Sequence, residues 1–167
     1  MIGETKSLHP AFKIAVDRIL TAMRVRGWDA TIGSGMRTRE QQAALFAQGR
    51  ESLKRVNSMR HGAGLPPISA SDNKDTVTNA RPGQSNHNLT MAFLSSGRST
   101  YYVVNGYAVD IVSSRHGWHP NRHFWRDLGI LAKQYGCEWG GDWKHKPDPA
   151  HVQMRLIDSA PRSSAVV

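Results

Sequence analysis

A single cysteine, Cys137, is all the sulfhydryl chemistry this sequence holds. One thiol excludes a disulfide framework and a thiolate metal cluster, and a lone cysteine usually serves as a small buried apolar residue. Long hydrophobic runs are also missing: no stretch approaches the roughly 18–20 apolar residues that a membrane span needs. The opening MIGETKSLHPAFK lacks the continuous apolar core of a secretory signal. The expectation is a protein kept in the cytosol unless something else releases it, with no membrane insertion. Acidic residues are scarce, 13 against 22 lysines and arginines, leaving a net charge of +9. Such a surplus draws a protein toward polyanions, and envelope polymers respond to that field as nucleic acid does. A nucleic-acid module needs its basic residues gathered on one face. Here they are spread along the chain, and no nucleic-acid partner is expected.

What is present fits one ordinary domain: 167 residues, 39% hydrophobic and 21% charged. Residues 8–25 place Leu8, Phe12, Ala15, Ile19 and Met23 at helical spacing, with Ser7 as N-cap and Pro10 in the first turn. Residues 28–34 alternate like a short strand. Thr38-Arg39-Glu40 opens a second helix, with Gly49 where a C-terminal cap belongs. Residues 51–84, rich in Gly, Pro, Ser, Asn and basic side chains, read mostly as a long surface loop, which in a compact domain is usually functional or mobile. Residues 101–112, YYVVNGYAVDIV, are β-branched and aromatic, and their Asn-Gly pair is a hairpin signal. Residues 120–136 form a third helix with Phe124, Leu128, Leu131 and Ala132 on one side. A Gly-rich turn, a proline-pinned loop and a final strand, HVQMRL, follow. The reading is an α+β fold: a small antiparallel sheet carrying the functional site, about three helices around it, and a long loop-rich insertion. One domain spans 1–158, and residues 159–167 form a flexible tail. A monomer is expected.

Three short elements carry chemistry: Ser85-Asn86-His87, Gly106-Tyr107-Ala108-Val109-Asp110-Ile111, and Asp148-Pro149-Ala150-His151-Val152-Gln153. Without thiolates, a zinc site must draw on histidine and carboxylate. Catalytic zinc takes three such ligands, leaves a fourth position to water and lowers that water's pKa toward neutrality. A further carboxylate can take the water's proton and pass it to the leaving amine. Asp110 sits between Val109 and Ile111 in an apolar run, where a carboxylate is costly unless paired or metal-bound. A salt bridge to one of the arginines explains it equally well at this point, and single histidines in strands are more often structural than ligating. A second histidine group, His116, His119 and His123, has no adjacent carboxylate, is interrupted by Pro120 and is flanked by Arg115 and Arg122, which would repel a dication. It reads as a polar loop and the start of a helix.

Together, RTREQQAALFAQGR, TNARPGQSNHN, GYAVDIV and GGDWKHKPDPAHVQ resemble the zinc peptidases that act on bacterial cell walls. These are the D-alanyl-D-alanine carboxypeptidases and the L-alanyl-D-glutamate endopeptidases, many phage endolysins among them. Their pattern is Ser-x-His, a Gly-x-Ala-x-Asp strand and a late carboxylate-x-x-His, and the resemblance covers roughly residues 8–156 in order. It implies that His87, Asp110 and His151 hold Zn2+ and that Asp148 is the general base and acid. It also implies that Arg37 braces a substrate carbonyl or carboxylate, and that Ser85 orients the ligand neighbourhood by hydrogen bonding. Trp143 and Gln153 then flank the last ligand as pocket wall. The implied partner is the peptidoglycan stem peptide, cut at the L-alanyl-D-glutamate bond. A D,D- or L,D-carboxypeptidase on the same scaffold and a non-catalytic polyanion-binding module are the alternatives.

One departure stands out. Relatives place the histidine and the aspartate seven residues apart, whereas here the separation is 110 − 87 = 23. Residues 89–105 are read as an insertion, expected to protrude as a hairpin and, through Phe93, Tyr101 and Tyr102, to line or cover the substrate groove.

Overall fold

The computed structural model describes residues 8–88, 90–96 and 99–155, with strand residues 90–105 described by their backbone alone. Helix α1 (Pro10–Val25) starts with proline in its first turn and buries Phe12, Val16, Ile19, Leu20 and Met23, the face its periodicity predicts. The residue expected to cap it, Ser7, lies outside the described residues; His9 holds the cap position without a side-chain hydrogen bond. Strand β1 is Ala30–Ser34. Helix α2 (Arg39–Ala47) is opened by a full capping box: the Gln41 backbone N–H donates to Thr38 Oγ1, and the Gln41 side chain accepts from the Thr38 N–H. Gly49, at φ 75°, leaves the helix in a left-handed conformation against the backbone of Asp75 and Thr76.

The stretch read as loop contains a helix. Helix α3 (Leu53–Gly62) is capped by Ser52, whose side chain accepts from the Arg55 N–H. It buries only Val56 and Arg60, so it offers no apolar stripe for a periodicity argument to find. Met59 packs against Ala44, Leu45 and Leu65, and specific hydrogen bonds add to the helix's hold. Asn57 grips Ile68 through both its backbone N–H and its carbonyl, at 2.8 and 3.0 Å, and Arg60 Nε donates to Pro66 O at 2.6 Å. Farther on, Gln48 and Gln42 donate to the carbonyls of Asp72 and Ala80. The glycine- and proline-rich segment is therefore laced onto α2 and α3.

Strands β2 (Thr90–Ser96) and β3 (Ser99–Asn105) pair antiparallel as a separate two-stranded ribbon, so the insertion is a hairpin as expected. Its turn is not the Asn-Gly pair. Asn105 ends β3, and Gly106 instead lies where the chain passes Met36 and Leu8, with room for little else. The groove-lining expectation for Phe93, Tyr101 and Tyr102 concerns side chains outside the described residues. At the hairpin's foot the Tyr107 N–H donates to Asn86 O at 3.0 Å, which closes the insertion and brings its two ends together.

Strand β4 (Ala108–Ser113), helix α4 (Arg122–Gln134), strand β5 (Cys137–Trp139) and strand β6 (His151–Met154) follow, and short 3-10 turns at Asp72–Lys74 and Gly140–Asp142 complete the described elements. The expected Gly-rich turn after α4 thus begins with a three-residue strand. The main sheet is antiparallel, in the order β1-β4-β6-β5. Alternation splits its residues between faces. Val109, Ile111 and Val152 join α1 and α4 (Phe124, Leu128, Leu131, Ala132) in one apolar core, which leaves Asp110 and His151 on the opposite face. The fold is α+β, with four α-helices among the described residues where about three helices were expected.

Candidate metal centre

Register assembles the site. On one row across the sheet, Ser34 of β1 pairs with Asp110 of β4, and Asp110 pairs with His151 of β6. Two residues along, on the same face, Gln153 of β6 pairs with Glu138 of β5. The remaining histidine arrives on a loop. There Arg37 N–H donates to His87 O at 2.6 Å, and the Asn88 side chain donates to the carbonyls of Arg37 and Thr38. Ser85 Oγ accepts from the His87 N–H at 3.3 Å, so it shapes the turn that presents the imidazole.

His87 Nε2, His151 Nδ1 and Asp110 Oδ1 converge. Their separations are 3.1 Å between the two nitrogens, and 3.3 and 3.4 Å from each nitrogen to the carboxylate oxygen. All three residues are buried. The outward atoms fix which lone pairs face inward. His87 Nδ1 lies 2.8 Å from Gly35 O, and a carbonyl can only accept, so Nδ1 carries the proton and Nε2 points its lone pair at the centre. His151 Nε2 lies 3.0 Å from Gln153 Oε1, which leaves Nδ1 as the inward acceptor. Asp110 Oδ2 is taken by Arg37 Nη2 at 2.7 Å, leaving Oδ1 for the centre.

Three acceptors aimed at one another in a buried place call for a cation. Their spacings match the edge of a tetrahedron with metal–ligand bonds of about 2.0–2.1 Å, which is about 3.3 Å. Two imidazoles and one carboxylate are a donor set suited to catalytic zinc. The residues present fit the ion. Among the described residues this is the one group of three or more histidine, cysteine or acidic side chains close enough together to hold a metal. His116, His119 and His123 form no such group, and all three are exposed.

The electrostatics of Asp110 and His87 agree. Burial opposes charge on Asp110, but His87, His151 and Arg37 together hold its carboxyl far below the ordinary range. Burial, the largest influence on His87, lowers its pKa and keeps the ring neutral despite Asp110. For His151, burial is outweighed by the hydrogen bond and charge of Asp110, and its pKa rises.

Asp148 stands on the turn leading into β6. Burial first, and the negative charge of Asp110 second, raise its pKa. That turn is tightly built: the Asp148 N–H donates to Gly140 O at 3.0 Å, and the His151 N–H donates to Asp148 O at 3.1 Å. Trp139 Nε1 donates to Pro149 O at 2.8 Å. A Cβ on Gly140 would lie 2.5 Å from Asp148 O and 2.9 Å from His151 Cβ, so only glycine lets the two segments meet. Trp143, 37% exposed, sets its ring 4.8 Å from that of His151.

Arg37 is less free than the sequence implied. Beside its bond to Asp110, Nε donates to Ser34 Oγ at 2.9 Å and Nη1 to Gln42 Oε1 at 3.4 Å. Gln153 is more than wall, since it bonds His151. The sequence reading missed Ser34, Gln42, Asn86 and Glu138. Ser34 and Glu138 follow only from strand register, while the Asx-like loop and the buried α2 position that hold Asn86 and Gln42 depend on tertiary contacts.

Fold and site together define an α+β protein with a His-Asp-His metal centre and an acidic residue, Asp148, at its edge. Residues 78–154 match the family model described as D-alanyl-D-alanine carboxypeptidase. Over 148 residues it is 28% identical to the peptidoglycan L-alanyl-D-glutamate endopeptidase CwlK of Bacillus subtilis (strain 168), covering 88% of this chain and 73% of that one. Similar folds include the LdcB LD-carboxypeptidase (TM-score 0.57, 16% identity, 89% of this chain) and a Zn(II) complex of the E175A mutant of the vancomycin-resistance D,D-pentapeptidase VanY (TM-score 0.51, 18% identity, 88% of this chain). The chain spans 65% of the LdcB structure and 72% of the VanY structure.

Proposed function

We propose that this protein is a zinc-dependent endopeptidase that cuts peptidoglycan stem peptides at the L-alanyl-D-glutamate bond and serves as a phage-type endolysin. The observation that carries the reading is the convergence of His87 Nε2, His151 Nδ1 and Asp110 Oδ1 beside a carboxylate whose pKa is raised, Asp148. When bound, zinc supplies Lewis acidity, polarising a carbonyl and making water acidic enough to ionise near neutrality. The chain supplies the rest. Asp148 accepts the proton that water loses as it attacks the scissile carbonyl, then hands it to the leaving amine; a raised pKa suits a group that must both take and give. The rigid turn through Gly140, Pro147 and Pro149 holds that carboxylate in place before substrate arrives. Trp143 walls the pocket beside His151.

The preference for an internal bond over a terminal residue is supported by Arg37. Three of its five N–H donors are engaged within the protein and its charge is paired with Asp110, so it is not a free cation waiting for a C-terminal carboxylate. The similarity to an endopeptidase of peptidoglycan points the same way. The lytic role, with the protein held in the host cytoplasm as a monomer until it reaches the wall, is supported by the surplus of positive charge, which suits attraction to anionic envelope polymers. No helix among the described residues is long and apolar enough to cross a membrane.

Mass spectrometry of muropeptides digested by the protein tests the proposal. Cleavage between L-alanine and D-glutamate supports it; loss of one terminal D-alanine would make the protein a D,D- or L,D-carboxypeptidase. A chain that binds the polymer without releasing product would be a binding module. Lysis of outer-membrane-permeabilised cells that survives full removal of metal by a chelator would end both enzymatic readings.

A further inference from the structure

Beyond the ligands, a polar chain runs across the sheet from β5 to the loop that carries His87. Gln153 Nε2 donates to Glu138 Oε2 at 2.6 Å. Gln153 Oε1 accepts from Asn86 Nδ2 at 2.8 Å and faces His151 Nε2 at 3.0 Å. A glutamine amide can be turned either way, and its orientation is decided by its partners. Here one partner decides it. A carboxylate only accepts, so Glu138 requires the amide nitrogen on its side. The amide oxygen must then face His151, which requires the proton on Nε2 and, in the neutral ring, leaves Nδ1 unprotonated toward Asp110 and His87.

We infer that Glu138 and Gln153 form a positioning pair that selects the metal-binding tautomer of His151. Neither touches the metal or the reacting atoms. Glu138 acts through Gln153, and Gln153 acts through the imidazole. The same amide oxygen, by taking the Asn86 hydrogen bond, ties β6 to the turn carrying His87, so the two imidazoles are set as a unit. Outer partners of this kind orient ligating histidines and typically change metal affinity by 10–100-fold when removed. The inference rests on the metal reading of the His87–Asp110–His151 group.

The test is a charge swap read by metal affinity. Glu138→Gln frees the pair to reverse, because the new amide can donate to Gln153 as well as accept from it. Its Zn2+ affinity, measured by chelator competition on metal-free protein, is expected to fall on the order of 10-fold or more. The double variant E138Q/Q153E reverses the polarity. A carboxylate at 153 accepts from His151 Nε2–H, from Asn86 and from the amide at 138, and affinity is expected to recover most of the loss. Nitrogen-15 chemical shifts of the His151 ring in metal-free protein, in alkaline buffer, give a second readout that a merely structural role would not move. They are expected to show the proton on Nε2 in the wild type and the double variant, and a mixture in Glu138→Gln. Unchanged affinity and tautomer in Glu138→Gln, or a double variant no better than the single one, would overturn the inference. Absence of Zn2+ binding by the wild type would instead remove the metal reading, while the ring shifts would still decide the positioning role.

Discussion

Arg37 Nη2 lies 2.7 Å from Asp110 Oδ2, and both side chains are almost wholly withdrawn from solvent. The pair divides the carboxylate: one oxygen is fixed by the guanidinium and the other is left to the centre. Removing one member of a buried ion pair leaves the other charge uncompensated, at a cost of about 3–5 kcal/mol. Arg37→Ala is therefore expected to lower the stability of the metal-free protein by about 3 kcal/mol and to weaken metal binding on the order of 10-fold or more. Arg37→Lys should recover little, because an ammonium cannot reach Ser34, Gln42 and Asp110 at once as the planar fork does. Denaturant melts and chelator titrations of both variants check this; a lysine variant with wild-type metal affinity would contradict it.

Asp148 separates chemistry from metal binding. Asp148→Ala leaves the three convergent donors in place, so the bound metal is expected to be retained while turnover falls on the order of 100-fold or more. Metal content and turnover measured on the same preparation decide it. Loss of metal in step with activity would move Asp148 from proton transfer to holding the site together.

The hairpin is expected to be dispensable for the centre. Its foot is closed by the Tyr107–Asn86 backbone bond, and His87 is held by contacts to residues 35–38 that do not involve it. Deleting residues 90–105 returns the His87–Asp110 spacing to seven, the relatives' value. The deleted protein should bind one metal ion as before. Reduced turnover on intact peptidoglycan would support a groove role for the insertion, and unchanged turnover would dispose of it.

Asp127 ties α4 to the segment that follows α1. It accepts from Trp28 Nε1 at 2.9 Å, and that bond, with Arg26 and Arg126 nearby, lowers its pKa despite some burial. A folded-state pKa below the unfolded one stabilises the fold above the unfolded value, and the gain is lost as pH falls through the folded value. Asp127→Ala is accordingly expected to lose roughly 1 kcal/mol near neutral pH. The gap to the wild type should close below about pH 4. Urea melts across that range test it; a gap independent of pH would assign the loss to packing instead.

Sequence reached the site further than it reached the scaffold around it. The buried faces of α1 and α4 were legible because their apolar residues recur with helical period, and α2 because Thr38 and Gln41 form a capping box. Helix α3 was not, since what it buries is Val56 and an arginine. The Asn-Gly pair misled for a related reason: it satisfies a turn's local preferences, but the close passage of Gly106 against Met36 and Leu8 uses the glycine differently. His87, Asp110 and His151 were named through resemblance and meet as required. Glu138 and the engaged state of Arg37 depend on strand register and three-dimensional contacts, which no single stretch of sequence encodes.

The most direct test of the account is the metal content of the purified protein, measured beside Asp110→Asn. One zinc ion per wild-type chain, lost from a still-folded variant in which a neutral amide replaces the carboxylate, is the predicted result. A wild-type protein that hydrolyses peptidoglycan with no bound metal, or an Asp110→Asn variant that keeps the ion as tightly, would contradict it.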